Sequence, residues 1–276
     1  MHRIFFVAFA AITLPMSALS QARHTPTPLE ILPLRDRAAL EDQWLEQRLD
    51  AVIPAIMRRA EIDMWVLIAR EYNEDPVVKT MLPATWMSAR RRTVLVFHDN
   101  GKTVERFAIS RYPIGDVFPA RWDPETEPDQ WKRLAEAIAE RDPKTIAVNA
   151  SKEFPLADGI TASQIDAMAT ALPAAYRKRL KPDEELAISW LERRIPEQMP
   201  VYADMARLAH TLIAEAFSEA VITPGATTTQ DVVWHLRQRA SDLGLDVWFH
   251  PSVSIQRANA GPLKKESEAQ ADARKA

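Results

Sequence analysis

Met64-Trp65-Val66-Leu67-Ile68-Ala69 is an unbroken apolar run of strand length. A strand with one solvated face would place a polar residue at every second position, so this run suits a strand covered on both faces. Thr93-Val94-Leu95-Val96-Phe97 is a second such run, followed by His98-Asp99-Asn100-Gly101 as a turn. Residues 103–110 return with Val104, Phe107 and Ile109, so the two are expected to pair as a hairpin. Residues 131–141 carry Leu134, Ala135 and Ile138 on one helical face. Thr145-Ile146-Ala147-Val148-Asn149 reads as a further strand, and residues 162–171 as a short helix. Upstream, residues 24–33 contain Pro26, Pro28 and Pro33 and read as an extended lead-in. After Asp36, Leu40, Trp44, Leu45, Leu49, Val52, Ile53 and Ile56 recur at three- and four-residue spacing, the mark of an amphipathic helix. Pro54 lies inside that pattern and is expected to kink or end it. Strands alternating with helices over about 150 residues define an α/β domain.

The chain has 276 residues, 47% of them hydrophobic, enough to bury a sizeable core in two domains. It has no cysteine. Disulfides, thiolate metal sites and cysteine nucleophiles are therefore excluded together. The six glycines are scattered singly, whereas loops that cradle phosphate need them clustered, which argues against Walker and Rossmann nucleotide sites. No Gly-x-Ser-x-Gly elbow for a serine hydrolase is present. Residues 1–22 read MHRIFFVAFAAITLPMSALSQA, with Arg3 before an apolar run and Ser20-Gln21-Ala22 as a small-x-small site. This is the pattern of a cleaved signal peptide, and the run is shorter than the roughly 20 residues a membrane span needs. Export to the periplasm, or secretion, is the expectation. Cleavage would remove Arg3 alone and take the formal charge from −3 to −4. Such mild acidity offers no footprint for nucleic acid or for an anionic membrane.

The character changes around Arg179-Leu180-Lys181-Pro182. Residues 183–194 read as a helix with acidic residues at its start, where the helix dipole favours them. Pro196 and Pro200 interrupt. A helix over 201–220 places Met205, Leu208, Leu212, Ile213, Ala216 and Phe217 on one side. Thr223-Pro224-Gly225 makes a turn, and Thr228 with Asp231 resembles a capping pair for a helix over 230–243 that ends at Gly244. Residues 246–256 alternate as a half-buried strand. Residues 258–276 contain one large apolar residue, Leu263, and read as a solvated tail or frayed helix.

The order of these features, R-L-K-P-D-E-E-L, then two helices, then V-I-T-P-G-A-T-T-T-Q-D-V, and then W-F-H-P-S-V-S-I-Q-R, resembles the opening of the pita-bread domain. That domain belongs to the creatinase, aminopeptidase P and methionine aminopeptidase superfamily. The preceding region is similar in layout, more than in motif, to the creatinase-type N-terminal domain of the prolidase and aminopeptidase P branch. The resemblance covers about 230 residues. It implies an α/β architecture: a creatinase-type N-terminal domain over 23–180, then the first helices and strand of a pita-bread α+β domain over 181–257, with 258–276 as the tail. It also implies cleavage of Xaa-Pro peptides by a water held between two divalent metals, Mn, Zn or Co, on two Asp, one His and two Glu. None of the five finds a counterpart here. The family's first Asp lies in a context like D-F-G, which this sequence lacks, and after Arg257 only Glu266, Glu268 and Asp272 remain, in the polar tail. A family histidine roughly ten residues past the F-x-P-x-V strand is also missing, since Ala260-Gly261-Pro262-Leu263 stands there.

Other residues invite weighing. His250 precedes the family's histidine position and reads as a half-buried side chain bonded to backbone. His210, His235 and His250 could be imagined around a metal, but no two share a helix at four-residue spacing. Arg90-Arg91-Arg92 could grip a substrate carboxylate or simply be solvated. Glu71-Tyr72-Asn73-Glu74-Asp75 follows a strand, a common place for ligand contacts, or is a plain surface loop. Asp246 fits a capping or rim role, and Trp65, Trp86 and Trp248 read as core or interface aromatics. No catalytic or metal residue is therefore assigned, and no cofactor is expected for this chain. The expectation is an exported metallo-aminopeptidase-like hydrolase, shortened by early termination or a frameshift and inactive alone. Two readings compete with it: a non-enzymatic periplasmic binding module using the α/β domain, and a different enzyme built on Arg90–Arg92 and the Glu71–Asp75 loop. The partner of an intact relative would be a peptide, and relatives of this type are often dimers.

Overall fold

The computed structural model describes residues 31–255. The expected signal peptide over 1–22 and the expected tail over 258–276 lie outside them. Contacts divide the chain into two units, residues 31–209 and, among the described residues, 210–255.

The first unit is built outward from β1 (Met64–Arg70), which is buried from Met64 to Ala69. β2 (Arg92–Asp99) runs antiparallel along one side of it, with Val66 opposite Val96. β3 (Val104–Ile109) closes the expected hairpin. Its turn places Gly101 at φ 85° and satisfies the Gly101, Lys102 and Thr103 N–H groups on the Asp99 and Asn100 side chains. β4 (Ile146–Val148) lies parallel on the other side of β1, and β5 (Leu180–Pro182) forms the far edge. The result is a mixed five-stranded sheet in the order β3-β2-β1-β4-β5. β5 sits where the sequence shows only a change of character. It is three residues long, and Pro182, which has no N–H to give, is tolerated because the strand is at an edge.

The apolar run over 64–69 is explained by layers on both faces. Trp65, Leu67, Leu95, Phe97 and Ala147 pack towards α1 (Leu34–Arg59), α2 (Pro76–Lys79) and α6 (Glu185–Glu192). Met64, Val66, Val94, Val96 and Val148 pack towards α3 (Gln130–Arg141) and α4 (Ala162–Ala171). A single turn, α5 (Ala174–Arg177), precedes β5. Residues 183–194 thus form α6 over a shorter span, with Asp183 accepting the Leu186 N–H at 3.0 Å. Leu186, Ala187 and Trp190 are fully buried in the first unit's core.

Pro54 does not end the helix: of the two expected outcomes, α1 continues through it to Arg59. Val52, Ile53, Ile56 and Met57 around it are buried, and their packing outweighs the missing bond to the carbonyl four residues back. Pro54→Ala should restore that bond and stabilise the unit by about 1–3 kcal/mol. The measurement is the urea midpoint at unchanged slope, and an unchanged or lower midpoint would contradict it.

In the second unit, α7 (Met199–Ala216) enters from the first and α8 (Thr229–Asp242) follows. Pro200 stands at the second position of α7, where its N–H is not needed. α7 stops at Ala216 rather than reaching residue 220, because Ser218 and its neighbours form a turn. Gly225 adopts φ 81° in the connecting turn, and Thr228 and Asp231 form a reciprocal capping box, as the sequence indicates. The apolar side of α7 is largely open: Met205, Ile213 and Phe217 are each about half exposed, and only Ala216 is buried. One expectation fails. Residues 246–255 form no strand. Alternation alone does not make a strand, whose backbone groups need a pairing partner, and no described strand runs beside these residues. Trp248 is accordingly 88% exposed rather than core, and His250 is exposed rather than half-buried. Among the described residues no helix is long and apolar enough to cross a membrane.

Candidate functional site

In an α/β sheet, ligands favour the crevice beyond the carboxyl ends of parallel strands. Here that position lies beyond β1 and β4, where the 71–75 loop meets the segment from Asn149 to Ile160. Its centre is Asp75, which is fully buried. Asp75 caps α2, one carboxylate oxygen accepting the Val77 and Val78 N–H groups at 2.7 and 3.1 Å. The other oxygen accepts Asn149 Nδ2 at 2.9 Å, and Asn149 Oδ1 accepts Trp65 Nε1 at 2.8 Å. Burial pushes the Asp75 carboxyl up against the pull of these donors. Gly159 closes over it so tightly that a Cβ there would lie 1.9 Å from Oδ2. A fully buried carboxylate that accepts three hydrogen bonds, with Gly159 packed against its second oxygen, leaves no room for a substrate. The arrangement is a latch that joins two loops.

The sequence signal for it is Asp75 followed by Pro76, an N-cap residue before proline at the first helical position. Asn149 shows no signal beyond ending a strand. The neighbouring segment is pinned likewise. Ser151 donates to Glu184 and accepts the Phe154 N–H at 2.9 Å, while its own N–H reaches Asp158 at 3.2 Å.

The structure brings together the two segments weighed for a different enzyme. The Glu71 N–H donates to the Arg91 carbonyl at 2.6 Å, and the Arg91 N–H returns to the Glu71 carboxylate at 3.3 Å. Arg70 faces Arg92 in the β1–β2 register. The bonds are structural, however. The Arg92 guanidinium is committed to Gln130 Oε1 at 2.7 Å and to the Trp131 ring at 4.3 Å. Gln130 spends its own donors on the Arg92 and Ile109 carbonyls. Arg90 and Arg91 remain exposed.

The histidines are dispersed. His98 lies in β2, half-buried, and is held below its usual range by burial and by Arg141. His210 is exposed on α7. His235 on α8 contacts Glu215 at 3.1 Å, and Glu215 also accepts Arg239 Nε at 2.8 Å. That bond, first of all, holds the Glu215 carboxyl below the usual range. His250 and Asp246 are exposed in the irregular 246–255 segment. Among the described residues no three His, Asp or Glu side chains gather in a way that could hold a metal ion. The donor set among the described residues does not fit the pair of divalent metals that the resemblance implies.

No family model matches the chain, and no curated protein does. Among solved structures, the chain is similar to an Xaa-Pro dipeptidase from Bacillus anthracis, with 14% identity and a TM-score of 0.42 over 73% of this chain. The match spans 49% of that protein, so this chain corresponds to about half its length.

Proposed function

We propose that the chain is an exported member of the aminopeptidase P and prolidase branch of the pita-bread superfamily. In this reading residues 23–180 form its creatinase-type N-terminal domain, and residues 181–257 form the opening of a metal-dependent Xaa-Pro peptidase domain. One observation carries the proposal: the ordered run from Arg179 to Val253, with R-L-K-P-D-E, the P-G-A-T turn and F-H-P-S-V in sequence. The local geometry suits that order. Asp183 caps α6, Gly225 supplies the left-handed turn, and the Thr228–Asp231 box starts α8. Export is supported by the basic, apolar and small-residue pattern of residues 1–22.

The family is tested by reading the coding sequence beyond Ala276 in all three frames. A strand bearing D-F-G, then histidine and glutamate motifs, is expected, and their absence in every frame overturns the family reading. Purified as it stands, the chain should release no amino-terminal residue from Xaa-Pro peptides with Mn, Zn or Co added. Turnover abolished by a chelator would overturn the reading of this chain as lacking a catalytic site.

A further inference from the structure

The turn between β2 and β3 holds the chain's single Asn-Gly pair, Asn100-Gly101. The side-chain carbonyl of an asparagine can be attacked by the next backbone nitrogen, and glycine at that next position has no Cβ to shield the nitrogen. The other asparagines, Asn73, Asn149 and Asn259, precede Glu74, Ala150 and Ala260. Residues 100–103 are all exposed, so water reaches the turn.

Four hydrogen bonds arrange the groups such a reaction needs. Asn100 Oδ1 accepts the Lys102 and Thr103 N–H groups, each at 2.9 Å. These bonds fold the side chain over the peptide unit of Gly101. They also aim two donors at the oxygen on which negative charge would develop. The Gly101 N–H donates to Asp99 Oδ1 at 2.8 Å. The proton of the attacking nitrogen therefore already points at a carboxylate that can take it. Asn100 Nδ2, the leaving nitrogen, donates to Thr103 Oγ1 at 3.2 Å.

The frame around them is tied down. The Asn100 N–H closes the turn on the Thr103 carbonyl at 3.2 Å, and Asp99 pairs with Val104 in the hairpin register. Arg58 Nε donates to Asp99 Oδ2 at 2.8 Å and leaves Oδ1 facing the turn, while Arg58 Nη2 reaches the Lys102 carbonyl at 3.2 Å. Gly101 sits at φ 85°, and a Cβ there would meet nothing within 4 Å. The space around its nitrogen is open.

We propose that this turn modifies itself, Asn100 deamidating through a cyclic imide. The Gly101 nitrogen bonds to Asn100 Cγ while Asp99 takes its proton, and the carbonyl electron pair moves onto Oδ1. The pair returns, the Cγ–Nδ2 bond breaks, and the nitrogen leaves as ammonia with the proton that Asp99 held. Water then opens one of the two carbonyl–nitrogen bonds of the imide. Opening at Cγ gives aspartate, and opening at the backbone carbonyl gives isoaspartate, whose main chain runs through Cβ. No oxidant, reductant or metal is consumed. Aspartate keeps the acceptor that the Lys102 and Thr103 N–H groups use. Isoaspartate lengthens the loop that Asp99 and Val104 close and so loosens the end of the hairpin. The inference owes nothing to the peptidase reading.

The test is timed incubation of the whole chain at neutral pH, followed by peptide mapping with mass spectrometry. The same chain unfolded in guanidinium chloride is the reference. The peptide bearing Asn100 should gain the mass of an NH2-to-OH exchange, separate into aspartate and isoaspartate forms, and release ammonia. The folded chain should react about threefold faster than the unfolded one, because the turn pre-positions the groups. Asp99→Asn keeps an acceptor for the Gly101 N–H but removes the base. It should slow the folded chain about tenfold and leave the unfolded rate unchanged. Arg58→Gln, which keeps the base and removes only its ion pair, should not slow the folded chain. An unmodified Asn100, a folded rate no faster than the unfolded rate, or an Asp99→Asn chain as fast as the unaltered one overturns the proposal. If Asp99→Asn fails to fold, the ratio of folded to unfolded rates in the unaltered chain decides the matter.

Discussion

Gly159→Ala is expected to destabilise the first unit by about 2–4 kcal/mol, read as a lower urea midpoint with an unchanged slope. The added methyl would stand 1.9 Å from Asp75 Oδ2 and 2.2 Å from its Cγ. Neither partner can step aside cheaply. Asp75 is fully buried, and its carboxylate is fixed by Val77, Val78 and Asn149. Moving it uncaps α2, at about 1 kcal/mol for a cap, and leaves Asn149 with an unmet donor. The φ of Gly159 lies outside the left-handed region, so the loss would be steric and not a matter of backbone conformation. A double-variant cycle separates these causes. Asp75→Ala should itself be destabilising, but it removes the atoms the methyl collides with. The double variant should then be about as unstable as Asp75→Ala alone. A neutral Gly159→Ala, or losses that simply add, would contradict the latch.

That latch marks the limit of what residues alone disclose. Periodicity reveals the layers: the 64–69 run, the 93–110 hairpin and the Ala162–Ala171 helix are legible because burial on one or both faces leaves a pattern in composition. The capping box at Thr228 is legible because both partners lie within one turn. Asp75 and Asn149 are 74 positions apart, and nothing local in either announces the other. β5 was hidden for a different reason. Three residues carry no periodicity, and the strand exists because β4 offers it an edge. The opposite error falls on 246–256, where an alternating pattern suggests a half-buried strand that the described residues do not form. A pattern states which face could be covered, and burial also needs something to cover it. Arg48, Lys79, Glu46 and Asp116 likewise look like ordinary surface charges in sequence. Only the fold sorts them into two adjoining hollows, Arg48 and Lys79 in one and Glu46 and Asp116 in the other.

Trp190→Ala should cost the first unit about 3–5 kcal/mol, the range for deleting a large buried aromatic side chain. Trp190 is fully buried in the core formed with α1 and α2, and its Nε1 donates to Thr80 Oγ1 at 2.8 Å. Its loss would also strip Arg48 of the ring that covers it. Trp190→Phe keeps most of the packing and removes the N–H, so its loss should be the smaller. Trp248→Ala, at an exposed position, should stay within about 0.5 kcal/mol of the unaltered chain. The informative readout is local. If α6 is part of the first unit's core, amide exchange in Trp190→Ala should quicken along α1, β1 and β2, while α8 keeps its protection. If α6 instead belonged energetically to the helices after it, α8 would lose protection first and β1 would not respond. The buried contacts of Leu186, Ala187 and Trp190 with α1 and the sheet argue for the first outcome. Although α6 follows the change of character at residues 179–182, its apolar face finds its cover in the α/β layer before it.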